Sequence, residues 1–80
     1  MLGQRMTRLP QVKGDRLIKA LQKEGWYIDR THGSHVIMRN DNKPGIKVVI
    51  PVHSKSIKPG ILGNILKTAG LTIKEIKRLL

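Results

Sequence analysis

Residues 26–51 read WYIDRTHGSHVIMRNDNKPGIKVVIP, and this stretch decides the fold. Trp26–Arg30 reads as a strand. Thr31-His32-Gly33 reads as a turn, because Gly33 can take a positive φ without steric cost. Ser34–Arg39 is a second strand, and Asn40-Asp41-Asn42-Lys43-Pro44-Gly45 is a loop by composition. Ile46–Pro51 is a third strand, rich in β-branched residues and ended by Pro51. Connections this short favour an antiparallel meander.

Successive side chains on a strand point to opposite faces. Val36, Met38, Val48 and Ile50 are assigned to the face that helices bury. His35, Arg39 and Lys47 then fall on the open face, with Ile37 and Val49 beside them as an apolar contact patch.

Helical periodicity flanks the strands. Leu17, Ile18 and Leu21 share one side of a helix predicted over Asp15–Glu24. Asp15 suits the positive end of the helix dipole, and Gly25 is the C-terminal stop. After a loop with His53, Ser54, Lys55 and Ser56, Pro59 opens a second helix carrying Leu62, Ile65, Leu66 and Ala69, which Gly70 closes. Thr72 and Glu75 form a capping box for a last helix with Ile76, Leu79 and Leu80 on its apolar side. The fold class is α+β: one helix, a three-stranded antiparallel sheet, then two helices, with the helices packed on one face. The 80 residues suffice for a single domain over 1–80, with residues 1–8 as a flexible N-terminal extension and Met1 and Met6 both candidate starts.

Composition narrows the function. Sixteen Lys and Arg against five Asp and Glu leave a net charge of +11, a field that attracts polyanions. Nucleic acid is the favoured partner; a membrane surface is not, since no helix pairs a wide apolar face with a long basic one. The absence of cysteine excludes disulfide scaffolds, thiolate zinc sites and thiol nucleophiles. No targeting or membrane-spanning segment is visible, so the cytoplasm is the expected compartment. The carboxylates have no context suited to a serine triad or to paired acid–base hydrolysis of sugars. His32, His35 and His53 look scattered, His32 in a turn and His35 beyond it with a different facing, so neither a metal nor any other cofactor is expected. Gly60 and Gly63 lack the Gly-Lys-Ser/Thr ending of a phosphate loop.

RNA cleavage fits what remains. The ribose 2′-hydroxyl is an internal nucleophile, so the protein need only move protons and hold charge on the phosphate. A histidine can do the first and cations the second. His35 is the leading candidate, because it follows Gly33-Ser34 and should face out of the core; an idle surface histidine is the plain alternative. His53 stands near a helix N-terminus, where anions are favoured, and Arg30, Lys55 and Lys58 are candidate phosphate contacts. Trp26 and Tyr27 are the only aromatics, and Trp26 suits the core, which argues against recognition by stacking on several rings.

Several motifs together resemble the HicA toxin family. They are Leu9-Pro10, the helix Leu17–Glu24, Gly25-Trp26, Arg30-Thr31-His32-Gly33-Ser34-His35, Val49-Ile50-Pro51-Val52-His53, Ile57-Lys58-Pro59-Gly60 and Ile65–Leu71. The resemblance implies a fold like a double-stranded-RNA-binding domain and an mRNA interferase, an endonuclease that blocks translation. It makes the histidine of Gly-Ser-His, His35, the catalytic residue. It further implies a HicB-type antitoxin that covers the active site. Expected RNA contacts are Arg30, Ser34, Arg39, Lys47, His53, Lys55 and Lys58. A non-catalytic RNA-binding module and a basic partner-binding protein are the alternative readings. Lys13 and Trp26 depart from the residues common in the family (serine and phenylalanine), and neither touches the motif.

Overall fold

The structure, a computed structural model, describes residues 8–80. Its elements are α1 (Gly14–Gln22), β1 (Tyr27–His32), β2 (His35–Arg39), β3 (Lys47–Pro51), α2 (Pro59–Ala69) and α3 (Ile73–Leu79). The strands form one antiparallel sheet in the order β1-β2-β3. This is the expected α-β-β-β-α-α arrangement. The expected N-terminal extension lies, apart from Arg8, outside the described residues.

The core is a single cluster between the helices and one face of the sheet. Val36, Met38, Val48 and Ile50 are buried there, as the alternation predicts, against Leu17, Leu21, Leu62, Leu66 and Ile76. Trp26 joins them, 3% exposed, at the point where the chain leaves α1 and enters the sheet. Helices α1 and α2 pack on β3, and α3 packs on α1. They leave β1 uncovered: all six of its residues are exposed, including Ile28 on the helix side of the sheet.

The helix starts differ in what holds them. Lys13 precedes α1 without any side-chain cap, so the first turn lacks the hydrogen bond that serine would supply. Gly14 is buried because α1 begins against the end of β3; a Cβ there would collide with the Pro51 carbonyl oxygen. At α3 the capping box is complete, with Thr72 N donating to Glu75 Oε1 at 2.8 Å and Glu75 N donating to Thr72 Oγ1 at 3.0 Å.

Several boundaries move from their predicted places. The first helix ends at Gln22 and a turn carries the chain through Gly25, which sits at φ 92°. The first strand starts after Trp26 and runs on to His32. The turn is therefore the two residues Gly33-Ser34, not Thr31-His32-Gly33. Gly33, at φ 54°, makes that tight reversal possible. Ile46 lies outside β3 and is exposed. Asn40, read as a loop residue, is buried: its Nδ2 donates to the Glu24 carbonyl oxygen at 3.1 Å, and its Oδ1 accepts from Asn42 N at 2.9 Å.

Candidate active site on the open sheet face

The strand register arranges the uncovered face as three rows. His32, His35 and Pro51 are cross-strand partners at one end, where the two histidines are exposed and Pro51 is buried. Arg30, Ile37 and Val49 form the middle row, and Tyr27, Arg39 and Lys47 the far one. The face thus carries the expected His35, Arg39 and Lys47 together with Arg30, and includes the apolar Ile37 and Val49. His35 is exposed.

A β-bulge at Asp29 sets which β1 residues reach this face. The register is Ile28 with Met38 and then Arg30 with Ile37, so Asp29 is the extra residue. Strict alternation from Tyr27 would send Arg30 and His32 to the helix side. The inserted residue turns them to the open side instead. The expectation that His32 and His35 face differently is therefore corrected: they are directly opposed partners on one face.

Electrostatics on the face are not uniform. Asp29 Oδ2 lies 3.2 Å from Arg39 Nε and 3.8 Å from Arg30 Nε, so this carboxylate holds both guanidinium groups near the middle of the sheet. Tyr27 Oη donates to Asp41 Oδ1 at 3.4 Å, and the negative charge of Asp41 pushes the phenol pKa above its ordinary value. The histidine end of the sheet has no such carboxylate in its row.

The remaining candidates are spread wider. Ser34 occupies the turn, and its carbonyl oxygen accepts a 2.6 Å hydrogen bond from Val52 N. That bond ties the turn to the segment just before His53, so His53 leaves β3 at the same end of the sheet as His32 and His35. Lys55 follows in the exposed loop toward α2. Lys47 also reaches the free edge of β3, where it lines a cavity of about 220 Å³ with Val49, Ile61 and Asn64. Lys58 belongs to the helix layer: it precedes α2 and lines a groove of about 440 Å³ with Arg8, Leu9 and Pro10. Among the described residues, no group of three or more His, Asp or Glu side chains is arranged to hold a metal ion.

Residues 14–71 of this sequence match the family described as the HicA toxin of bacterial toxin-antitoxin systems. The chain belongs to the HicA toxin family. The match spans α1, all three strands and α2, and so includes the whole open face and the Gly33-Ser34-His35 turn. No curated protein matches the sequence significantly. As a HicA-family toxin the chain is one half of a toxin-antitoxin pair. Among its described residues no helix is long and apolar enough to cross a membrane.

Proposed function

We propose that this HicA-family toxin is an endoribonuclease that cleaves mRNA and thereby stops translation, with His35 as a catalytic residue. The observation that carries the reading is the position of His35: exposed, next to a two-residue turn, on an uncovered sheet face with Arg30, Arg39 and Lys47 behind it. A histidine with no chemical duty has no need of that setting.

The chemistry is economical. The 2′-oxygen attacks the adjacent phosphorus as its proton is removed, and the P–O5′ bond breaks as the 5′-oxygen gains a proton. The products are a 2′,3′-cyclic phosphate and a 5′-hydroxyl. His35 moves one of these protons. Cations along the face hold the RNA backbone and offset charge on the phosphate. Arg30, Arg39 and Lys47 serve the strand lying on the sheet; Ser34, His53 and Lys55 serve the phosphates near His35. Lys58, in the helix layer, contacts RNA that continues past the turn. The reaction so written needs no metal or organic cofactor.

The antitoxin in this reading is a HicB-type protein with an acidic surface. It neutralises the toxin by covering the histidine end of the open face. Both act in the cytoplasm, where mRNA is.

Purified protein incubated with a long single-stranded RNA tests the proposal. Cleavage leaving cyclic phosphate ends is expected from the wild type. His35→Ala should melt at the wild-type temperature and cut at least about 10²-fold more slowly, the lower bound for losing a general acid or base. A variant that unfolds would make His35 a structural residue, and equal cutting by both proteins would end the assignment.

A further inference from the structure

Removing a proton from the 2′-oxygen and delivering one to the 5′-oxygen are two separate transfers, made at opposite sides of the same phosphorus. A single imidazole is in one protonation state at a time. Efficient cleavage therefore calls for a second titratable group close to His35.

The sheet offers His35 two cross-strand neighbours, Pro51 on β3 and His32 on β1. Proline transfers no protons. His32 is exposed, on the same face and directly opposed. Side chains so opposed have Cβ atoms about 4.5–5.5 Å apart, a span that lets two imidazoles flank one phosphodiester. The remaining candidates are not cross-strand partners of His35. Lys47 is in the far row, about 13 Å along the strands at the usual rise per residue. His53 and Lys55 lie past the end of β3, across β2 from His32.

We propose that His32 is the second catalytic residue, sharing the two proton transfers with His35 as an acid–base pair. This rests on the ribonuclease reading above. One imidazole, unprotonated, takes the 2′-hydroxyl proton as the 2′-O–P bond forms. The other, protonated, gives its proton to the 5′-oxygen as the P–O5′ bond breaks. The pair ends with its protons exchanged and no net gain or loss. The Asp29 bulge is what makes it possible, because it turns His32 to the open side. The charges facing the pair are Arg30 on β1, Arg39 on β2 and Lys47 on β3, with Asp29 bound to the two arginines, and His53 and Lys55 beyond β3.

The test compares wild type, His32→Ala and His35→Ala on one RNA across the neutral pH range. It adds a second RNA whose mapped cleavage site carries sulfur in place of the bridging 5′-oxygen. A thiolate leaves without being protonated, so this RNA bypasses the acid. The wild-type rate should rise and then fall with pH. His32→Ala should keep the wild-type melting temperature, lose about 10²–10⁴-fold in rate and lose one limb of the profile. The sulfur-bridged RNA should restore cleavage to one of the two variants and not the other, which identifies the acid. Cleavage by His32→Ala at the wild-type rate and with the wild-type profile overturns the pair and leaves the ribonuclease reading standing. Loss of wild-type cleavage in EDTA also overturns it, since the imidazoles would then serve a metal ion. A wild type that leaves RNA intact removes the ribonuclease reading itself, and the pair with it.

Discussion

Asn40 is the one polar side chain buried among the described residues, and it joins two turns. Its amide spans from the Glu24 carbonyl, at the exit of α1, to the Asn42 N–H, in the loop between β2 and β3. Gly25 lies against it, where a Cβ would sit 3.3 Å from Nδ2. Asn40→Ala removes both bonds. The freed backbone groups belong to exposed residues and regain water, so the cost should be near the net worth of a hydrogen bond or two, about 1–2 kcal/mol. Urea unfolding of the two proteins measures it. An unchanged midpoint would mean that the two turns hold their shape without the amide. Periodicity could not reveal this residue, because a loop asparagine and a buried one look alike in the sequence. The residues of β2 and β3 were far more legible. Their pleat is unbroken, so alternation places Val36, Met38, Val48 and Ile50 inward and His35, Arg39 and Lys47 outward, as found. His32 was hidden by one residue. A bulge inverts the facing of everything after it, and Asp29 carries no side-chain signature that announces one.

At the scale of elements, helix ends with a side-chain signal are legible and ends set by tertiary contact are not. Pro59 and Gly70 bound α2, and Thr72 with Glu75 opens α3, all as their chemistry dictates. The start of α1 depends instead on how closely it approaches β3. Gly14→Ala should therefore destabilise the protein although alanine is the better helix former. The clash with backbone costs about 1–3 kcal/mol, which outweighs a propensity gain of up to about 1 kcal/mol. For a domain of this size each kcal/mol lowers Tm by about 4–8 °C. Gly60→Ala on α2 is the control, since its Cβ would meet nothing within 4 Å. A Gly14→Ala protein as stable as the wild type would show that α1 can shift away from β3 without cost. The α3 cap gives a pH prediction. Hydrogen bonds donated to its carboxylate by the Thr72 backbone N–H and, to a lesser extent, by the Thr72 hydroxyl lower the Glu75 pKa below its ordinary 4.5. A carboxyl with a depressed folded pKa contributes stability that is present above the unfolded pKa and is lost as pH falls through the folded one. Acid should thus loosen the last helix, and Glu75→Gln should weaken the cap at neutral pH while flattening that acid dependence. Helix content followed by circular dichroism during acid titration of both proteins checks it. Parallel titrations would rule the cap out as a source of acid sensitivity.

Across the whole molecule the cations are spread over the helices, the loops and the sheet. The chain carries +11, yet the ion pairs among its described residues gather at one carboxylate, Asp29, on the open face. The other face of β2 and β3 lies under the helices, so a polyanion meets the cations of the sheet on the uncovered side. The architecture supports a division of labour: helices build the core on one side of a thin sheet, and the free side carries arginine, lysine and two opposed histidines. The sequence motifs reached as far as family, element order and the outward facing of His35, because each is a local signal. The partnership of His32 with His35 needed the strand register, which is a long-range property. The most direct test of the account is expression of the wild type and His35→Ala in growing cells without an antitoxin, with culture density and mRNA integrity followed together. Growth arrest with fragmented mRNA from the wild type, and neither from an equally abundant, folded His35→Ala protein, is the predicted result. Equal arrest by both proteins, or arrest with mRNA left whole, would contradict it.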